Sequence, residues 1–129
     1  MIIPFIADTR DYYPDVILPD LDRGGEAKGY VAIPTSLAKD EKTMGILIDT
    51  DVHGGCTFAQ TFKGKFSDII ENWQLPVEAL TEYDDGEDYF IVGFDTMHYG
   101  DTPAVWTKEA VKQETLRWAI DIAKTLGNE

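Results

Sequence analysis

The spacing of apolar residues is most regular at the C-terminal end of the chain. Between Thr107 and Gly127 apolar positions recur at steps of three and four, the period of an amphipathic helix. The recurring positions are Val111, Thr115, Trp118, Ala119, Ile122 and Leu126. Thr107 is placed to cap the first turn and Gly127 to end the helix. We therefore expect a long C-terminal helix that buries Trp118, Ile122 and Leu126.

Four other segments have strand character. Residues 29–34 are rich in β-branched and aromatic side chains and stop at Pro34, and residues 45–52 alternate with a period of two. Residues 56–62 alternate again after a pair of glycines, which predicts a hairpin or a sharp bend at that pair. Residues 89–95 are almost continuously apolar, which predicts an interior strand buried on both faces.

The segments between these strands have weaker signals. Residues 35–43 could form a loop or a short helical turn capped by Thr35 or Ser36. Ser67 could cap a short helix that ends before Pro76. Residues 7–28 are polar and rich in turn-forming residues, which indicates a long loop. Residues 1–6 are apolar, and Pro4 disfavours a central strand, so we expect an edge strand there or packing onto the core.

These elements predict an α+β fold, in which a small, mostly antiparallel sheet packs against the long C-terminal helix. With 129 residues the chain has room for one domain, residues 1–129. Within it we expect an extended, loop-rich segment at 1–28 and a core at 29–126.

Charge and composition exclude several classes of function. The chain has 24 acidic and 11 basic residues and a net charge of −13, so general binding of nucleic acid is disfavoured. Its single cysteine, Cys56, cannot form an internal disulfide. The apolar start is too short for a signal peptide or a membrane span. We expect a cytoplasmic protein that does not enter a membrane, and its oligomeric state is left open.

Both histidines follow strand-like runs and lie beside aspartates and glycines. His53 follows residues 46–52 and His98 follows residues 90–95, so we expect the two side chains to lie close together in one site. If residues 45–52 form a strand, Asp51 and His53 share a face. Imidazole and carboxylate together suit a divalent metal. The candidate ligands are His53, His98, Asp51, Asp95 and Asp101. A structural role for each histidine, as a hydrogen-bonded residue, is the alternative.

Acid–base chemistry and anion binding are further interpretations of the same residues. Asp95 lies three positions before His98 and could orient it as a general base, or it could simply cap the turn after its strand. Residues 54–57 could form a backbone nest for an anion, although paired glycines also make ordinary turns. Cys56 could be a nucleophile or a small buried residue.

Three phrases and the final helix together resemble a family of small uncharacterised proteins encoded in phages and prophages. The phrases are GYVAIP at 29–34, DVHGGCTF at 51–58 and VGFDTMHYGD at 92–101, and the similarity covers residues 29–126. Family members usually have Leu in place of Cys56, which argues against a cysteine nucleophile, and often Cys-Ala at 96–97. The resemblance implies a phage accessory role. It marks as motif positions His53, Gly54, Gly55, Thr57, Asp95, His98, Gly100 and Asp101.

Three functions are consistent with these residues, and they leave open whether the chain is an enzyme. The first is a small-ligand-binding accessory protein that sequesters a nucleotide-like molecule, with the motif positions as its binding site and Tyr30 or Tyr99 stacking on a base. The second is a hydrolase that depends on a divalent metal held by the two histidines and adjacent aspartates. The third is an interaction module whose acidic face mimics nucleic acid or blocks a basic partner.

Overall fold

The chain forms five strands and three helices in the part described by a computed structural model, which covers residues 1–9, 25–84, 86–96, 101 and 104–127. In chain order they are β1 (Ile3–Asp8), β2 (Ala27–Pro34), α1 (Glu41–Ile48), β3 (Phe58–Lys65), α2 (Phe66–Glu71), β4 (Val77–Ala79), β5 (Glu87–Phe94) and α3 (Lys108–Thr125). None of the helices in these ranges is long and apolar enough to cross a membrane.

The strands form one sheet in the order β3-β5-β2-β1-β4, and each neighbouring pair is antiparallel. This confirms the predicted α+β fold with an antiparallel sheet and a C-terminal helix packed on it. β5 lies between β3 and β2, as expected for its apolar sequence. β1 is not an edge strand, because the short strand β4 pairs with it. Proline has no N–H to donate, but Pro4 is tolerated here because its carbonyl accepts the Leu80 N–H at 2.9 Å.

Both faces of the sheet are covered. On the first face α3 packs through Val111, Trp118 and Ile122 against a cluster that includes Val31 and Phe94. Trp118 and Ile122 are fully buried and Leu126 is partly buried, which confirms the predicted apolar face of the helix. On the second face lie α2 and an aromatic cluster. It contains Phe5, Tyr30, Phe66, Ile69 and Tyr89.

The first strand packs onto the core, which was one of the two predictions for residues 1–6. Ile3, Phe5 and Ala7 of β1 are fully buried, so part of the extended segment predicted at 1–28 belongs to the core. Of the rest of that segment, residues 10–24 lie outside the described ranges. Gly29 allows α3 to lie close to β2, since a Cβ at this position would come within 2.2 Å of Thr115 Oγ1.

The predicted strand at 45–52 is wrong, because α1 occupies most of it. Asp40 caps this helix, and its carboxylate accepts the Thr43 N–H at 2.7 Å. The apolar run at 46–48 has the composition of a strand, but only Leu47 of α1 is buried. Asp51 and His53 therefore do not share a strand face. A turn does follow β2, because the N–H groups of Leu37 and Ala38 donate to the Pro34 carbonyl at 2.9 and 3.1 Å. The helix begins only after Asp40, so neither Thr35 nor Ser36 is its cap.

Two smaller corrections concern β3 and α2. The strand after the glycine pair begins at Phe58, two residues later than predicted, and continues to Lys65. The short helix α2 follows at once with Lys65 at its N-cap position, without a side-chain cap, so Ser67 lies inside the helix and does not cap it. β4 has only three residues and gave no strand signal in the sequence.

Candidate functional site

A tight turn at residues 52–55 presents His53. The Gly55 N–H donates to the Val52 carbonyl at 2.8 Å, and Val52 is buried in the first face of the core. Gly54 and Gly55 have φ values of 69° and 81°, a region that side chains with a Cβ rarely adopt. The glycine pair therefore forms a turn, as the sequence predicted, and this turn sets the course of the main chain at His53.

His53 forms an ion-pair geometry with Asp101. Its Nε2 lies 3.0 Å from Oδ1 and 3.1 Å from Oδ2 of Asp101, so Nε2–H donates to the carboxylate. The Asp101 side chain is 5% exposed and the His53 side chain 25% exposed. A buried carboxylate is costly unless it is paired, and the imidazole supplies such a partner at the protein surface. This pairing joins two of the residues selected from the sequence.

The imidazole ring also lies against aromatic side chains. The His53 and Trp106 ring centroids are 4.0 Å apart with the planes tilted by 34°, and Phe94 meets the imidazole edge to face at 6.4 Å. Trp106 immediately precedes the α3 cap Thr107, and its carbonyl accepts the Glu26 N–H at 2.9 Å. The start of α3 and the start of β2 thus hold the tryptophan in place beside His53.

A carboxylate of α3 fixes the main chain of His53. Glu114 Oε2 accepts the His53 N–H at 2.9 Å, and both Glu114 oxygens accept from Arg117, at 2.8 and 2.9 Å. The hydrogen bond from Arg117 is the main cause that holds the pKa of Glu114 below its ordinary value, and the His53 N–H adds to it. Glu114 therefore stays ionised near neutral pH, and in turn it raises the pKa of Arg117.

These residues line an open cleft of about 520 Å³. Its walls come from the glycine turn, from the residues before α3 and from the exposed side of α3. The lining residues are Asp51, Val52, His53, Gly54, Trp106, Glu114 and Arg117. The Arg117 guanidinium is engaged on several sides, because it also donates to Asp121 at 2.6 Å and to the Asp51 carbonyl at 2.9 Å.

The other predicted site residues are placed differently. Asp95 is half-buried just after β5, Asp51 has an exposed side chain, and Thr57 is exposed and donates its N–H to the Gly93 carbonyl at 2.8 Å. The Cys56 thiol donates to the Phe58 carbonyl at 3.1 Å. His98, Tyr99 and Gly100 lie outside the described residues, so the proximity of the two histidines stays a prediction. Tyr30 packs on the opposite face of the sheet and cannot stack on a ligand held by the glycine turn.

The metal hypothesis also stays a prediction. Within the described ranges, no group of three or more His, Cys, Asp and Glu side chains is arranged to hold a metal ion. Nε2 of His53 is directed at Asp101, so a metal ligand from His53 would require another arrangement or the other ring nitrogen. His98, the second proposed imidazole ligand, is outside those ranges.

Trp106, Glu114 and Arg117 were not identified from the sequence. Trp106 directly before the Thr107 cap has the position of a residue that packs against the first turns of a helix. Glu114 and Arg117 are three apart, a spacing that puts side chains together on one helix face. These signals could have marked the three residues as neighbours, but not as neighbours of His53.

Comparisons of the chain with protein families, with curated proteins and with solved structures find no match.

Proposed function

We propose that this protein binds a small ligand in the cleft beside His53. The observation that carries the proposal is the way the imidazole is held at the cleft wall. Asp101 holds the Nε2 atom of His53, and Trp106 packs against its ring. Glu114 accepts the His53 main-chain N–H. A side chain held by separate contacts in a partly exposed position is preorganised to meet a ligand, which lowers the entropy lost on binding.

The charges around the cleft favour a neutral or positively charged ligand. Asp51 and Glu114 line it, and Asp101 lies behind His53. Arg117 is the cation of the lining, and its guanidinium already binds Glu114 and Asp121. A phosphate at the glycine turn would meet these carboxylates. The half-buried Trp106 offers an aromatic surface that attracts organic cations.

The resemblance to phage and prophage proteins suggests what such binding would do. We propose an accessory role in which the protein sequesters a small molecule of the host. Sequestration needs affinity and no chemical step, so a preformed site that holds its ligand is sufficient for it.

Binding is tested on protein purified without chelator. Native mass spectrometry reveals a co-purified molecule, and titration calorimetry measures the affinity for a panel of organic amines, each beside its neutral analogue. We expect at least one amine to bind the unmodified chain. Its affinity for His53→Gln and for Trp106→Leu should be lower by a factor of about ten or more. Gln113→Ala, on the exposed side of α3, is the matched control and should bind like the unmodified chain.

Two outcomes would contradict the proposal. The first is the absence of any co-purified molecule together with no amine binding at millimolar concentration. The second is stoichiometric Zn, Mn or Fe in elemental analysis of the same sample, which would put metal-dependent hydrolysis first.

A further inference from the structure

A second cavity lies on the opposite face of the sheet from His53, and the cleft proposal does not involve it. Its volume is about 390 Å³, within the range of about 300–1,000 Å³ that small-molecule sites occupy. Four aromatic rings form its walls. They belong to Tyr30 of β2, Phe58 and Phe62 of β3, and Trp73 after α2.

These rings surround the indole of Trp73. Its centroid is 5.2 Å from that of Tyr30, 5.3 Å from that of Phe62 and 5.9 Å from that of Phe58. Phe58, Phe62 and Trp73 are only partly buried, although large aromatic side chains gain most when they are completely removed from water. The rings therefore keep exposed surface on which another ring could stack.

The polar lining of the cavity differs from the rest of the surface. It consists of three carboxamides, Gln60, Asn72 and Gln74, and one cation, Lys28. No carboxylate is among the described residues of the lining, although the chain has 24 acidic residues against 11 basic ones. Asn72 is already oriented, because its Nδ2 donates to the Asp68 carbonyl at 2.9 Å. On a strongly acidic protein, this cavity is a place where an anion is not repelled at close range.

Each part of the lining corresponds to a part of one ligand class. Aromatic walls stack on a flat ring, and carboxamides, which carry both a donor and an acceptor, pair with the mixed edge of a nucleobase. Lys28 would neutralise a phosphate attached to that ring. We propose that the cavity binds a nucleoside monophosphate, with its base against Trp73 and its phosphate toward Lys28.

The test measures binding of the four common nucleoside monophosphates and their nucleosides by calorimetry, with quenching of tryptophan fluorescence as a second readout. We expect at least one monophosphate to bind more tightly than its nucleoside. Lys28→Gln should remove that difference and leave nucleoside binding unchanged. Gln60→Glu should weaken binding of the monophosphate about tenfold or more, because it places a carboxylate in the lining.

Control variants make the outcome specific to this cavity. Gln60 is exposed on β3, so Gln60→Glu should fold normally, and its circular dichroism and melting curve verify this. Gln113→Glu introduces the same charge on the exposed side of α3 and should bind like the unmodified chain. Trp106→Leu alters the His53 cleft and should not change nucleotide binding, so failure here and failure of the cleft proposal remain distinguishable.

The proposal is overturned if no nucleotide binds at millimolar concentration, or if Gln60→Glu and Gln113→Glu bind equally. Loss of nucleotide binding in Trp106→Leu would also overturn it, because it would move the ligand to the other face of the sheet. Binding of simple sugars in place of nucleotides, with the same dependence on Gln60, would also overturn it, because the rings would then stack on a different ligand class.

Discussion

At the scale of single residues, His53 and Asp101 form a pair in which one side chain is buried and the other is partly exposed. Asp101 is buried, so its carboxylate requires donors, while His53 keeps a quarter of its side chain accessible. Removal of the imidazole leaves Asp101 with one partner fewer in a position that water reaches poorly. The pair should therefore behave as an energetic unit.

A double-mutant cycle measures this coupling. His53→Phe keeps a ring beside Trp106 but removes the Nε2–H donor, and Asp101→Ala removes the acceptor. We expect each single change to lower the free energy of unfolding by about 1–3 kcal/mol. The double change should cost less than the sum, with a coupling of about 0.5–3 kcal/mol in urea denaturation. Purely additive effects would contradict the observed pairing, and Asp101→Ala combined with the remote Gln113→Ala should be additive.

Glu114 gives a prediction about pH. Its pKa is lowered below the ordinary 4.5, chiefly by Arg117, so its ionised form stabilises the fold above that value. This contribution falls as the pH drops below 4.5 and is lost once the pH is below the lowered pKa. Glu114→Gln should therefore melt at a lower temperature than the unmodified chain near neutral pH, and the gap should shrink on acidification.

Thermal melts between about pH 7 and about pH 3 follow this gap. Glu82→Gln, at an exposed position after β4, is the control and should show a smaller gap at neutral pH. A gap for Glu114→Gln that grows toward acid would contradict the direction of the pKa shift.

The candidate site could be found from the sequence only in part, and the reason is distance along the chain. His53 and Asp101 could each be selected, since a histidine and an aspartate beside glycines at the ends of apolar runs indicate chemistry. Their pairing spans 48 positions, and no periodic pattern reports a contact at that separation. Trp106 and Glu114 join the site through the packing of α3, which depends on the whole core.

At the scale of elements, a helix or strand could be predicted when its apolar residues repeat over several turns. α3 has five turns with one apolar face, and its cap Thr107 and its end near Gly127 agree with the structure. α1 has eight residues, and its apolar run at 46–48 led to the prediction of a strand, while its cap Asp40 was not identified. Short elements contain too few repeats to separate a helical period from strand composition.

A pair of glycine substitutions tests the assignment of α1 and the packing of α3. Gly45 lies inside α1, and a Cβ there meets nothing within 4 Å, so Gly45→Ala should stabilise the protein by about 0.5–1 kcal/mol. Gly29→Ala places a methyl group within 2.3 Å of Phe94 Cε1 and should destabilise it by about 1–3 kcal/mol. Denaturant midpoints measure both changes. A loss of stability in Gly45→Ala would contradict the helix.

At the scale of the whole molecule, the two proposed sites divide the sheet between them. The His53 cleft lies on the side of α3 and is rich in carboxylates, and the aromatic cavity lies on the side of α2 and has carboxamides and Lys28. Ligands of opposite charge would therefore be bound on opposite faces. The strands between them contribute one buried cluster to each face, and each cluster supports the site on its own side.

The net charge of −13 also affects the stability of the molecule as a whole. Like charges repel across the surface at low salt, because the Debye length is about 30 Å at 0.01 M and about 10 Å at 0.1 M. Added salt also weakens local attractions such as that between Lys112 and Glu78, but ion pairs that water reaches stabilise a fold only weakly. The repulsion should dominate, so the melting temperature should rise when sodium chloride is increased from about 0.01 M to about 0.1 M.

A variant with fewer charges separates this repulsion from other effects of salt. Glu71→Gln combined with Glu82→Gln removes two exposed carboxylates, one from the end of α2 and one after β4. Self-repulsion falls with the magnitude of the net charge, so the rise in melting temperature with salt should be smaller in this variant. If salt raises the melting temperature equally in both proteins, the cause would be the exclusion of ions from apolar surface and not self-repulsion. A melting temperature that falls with salt would mean that ion pairs such as Glu78–Lys112 outweigh the net charge.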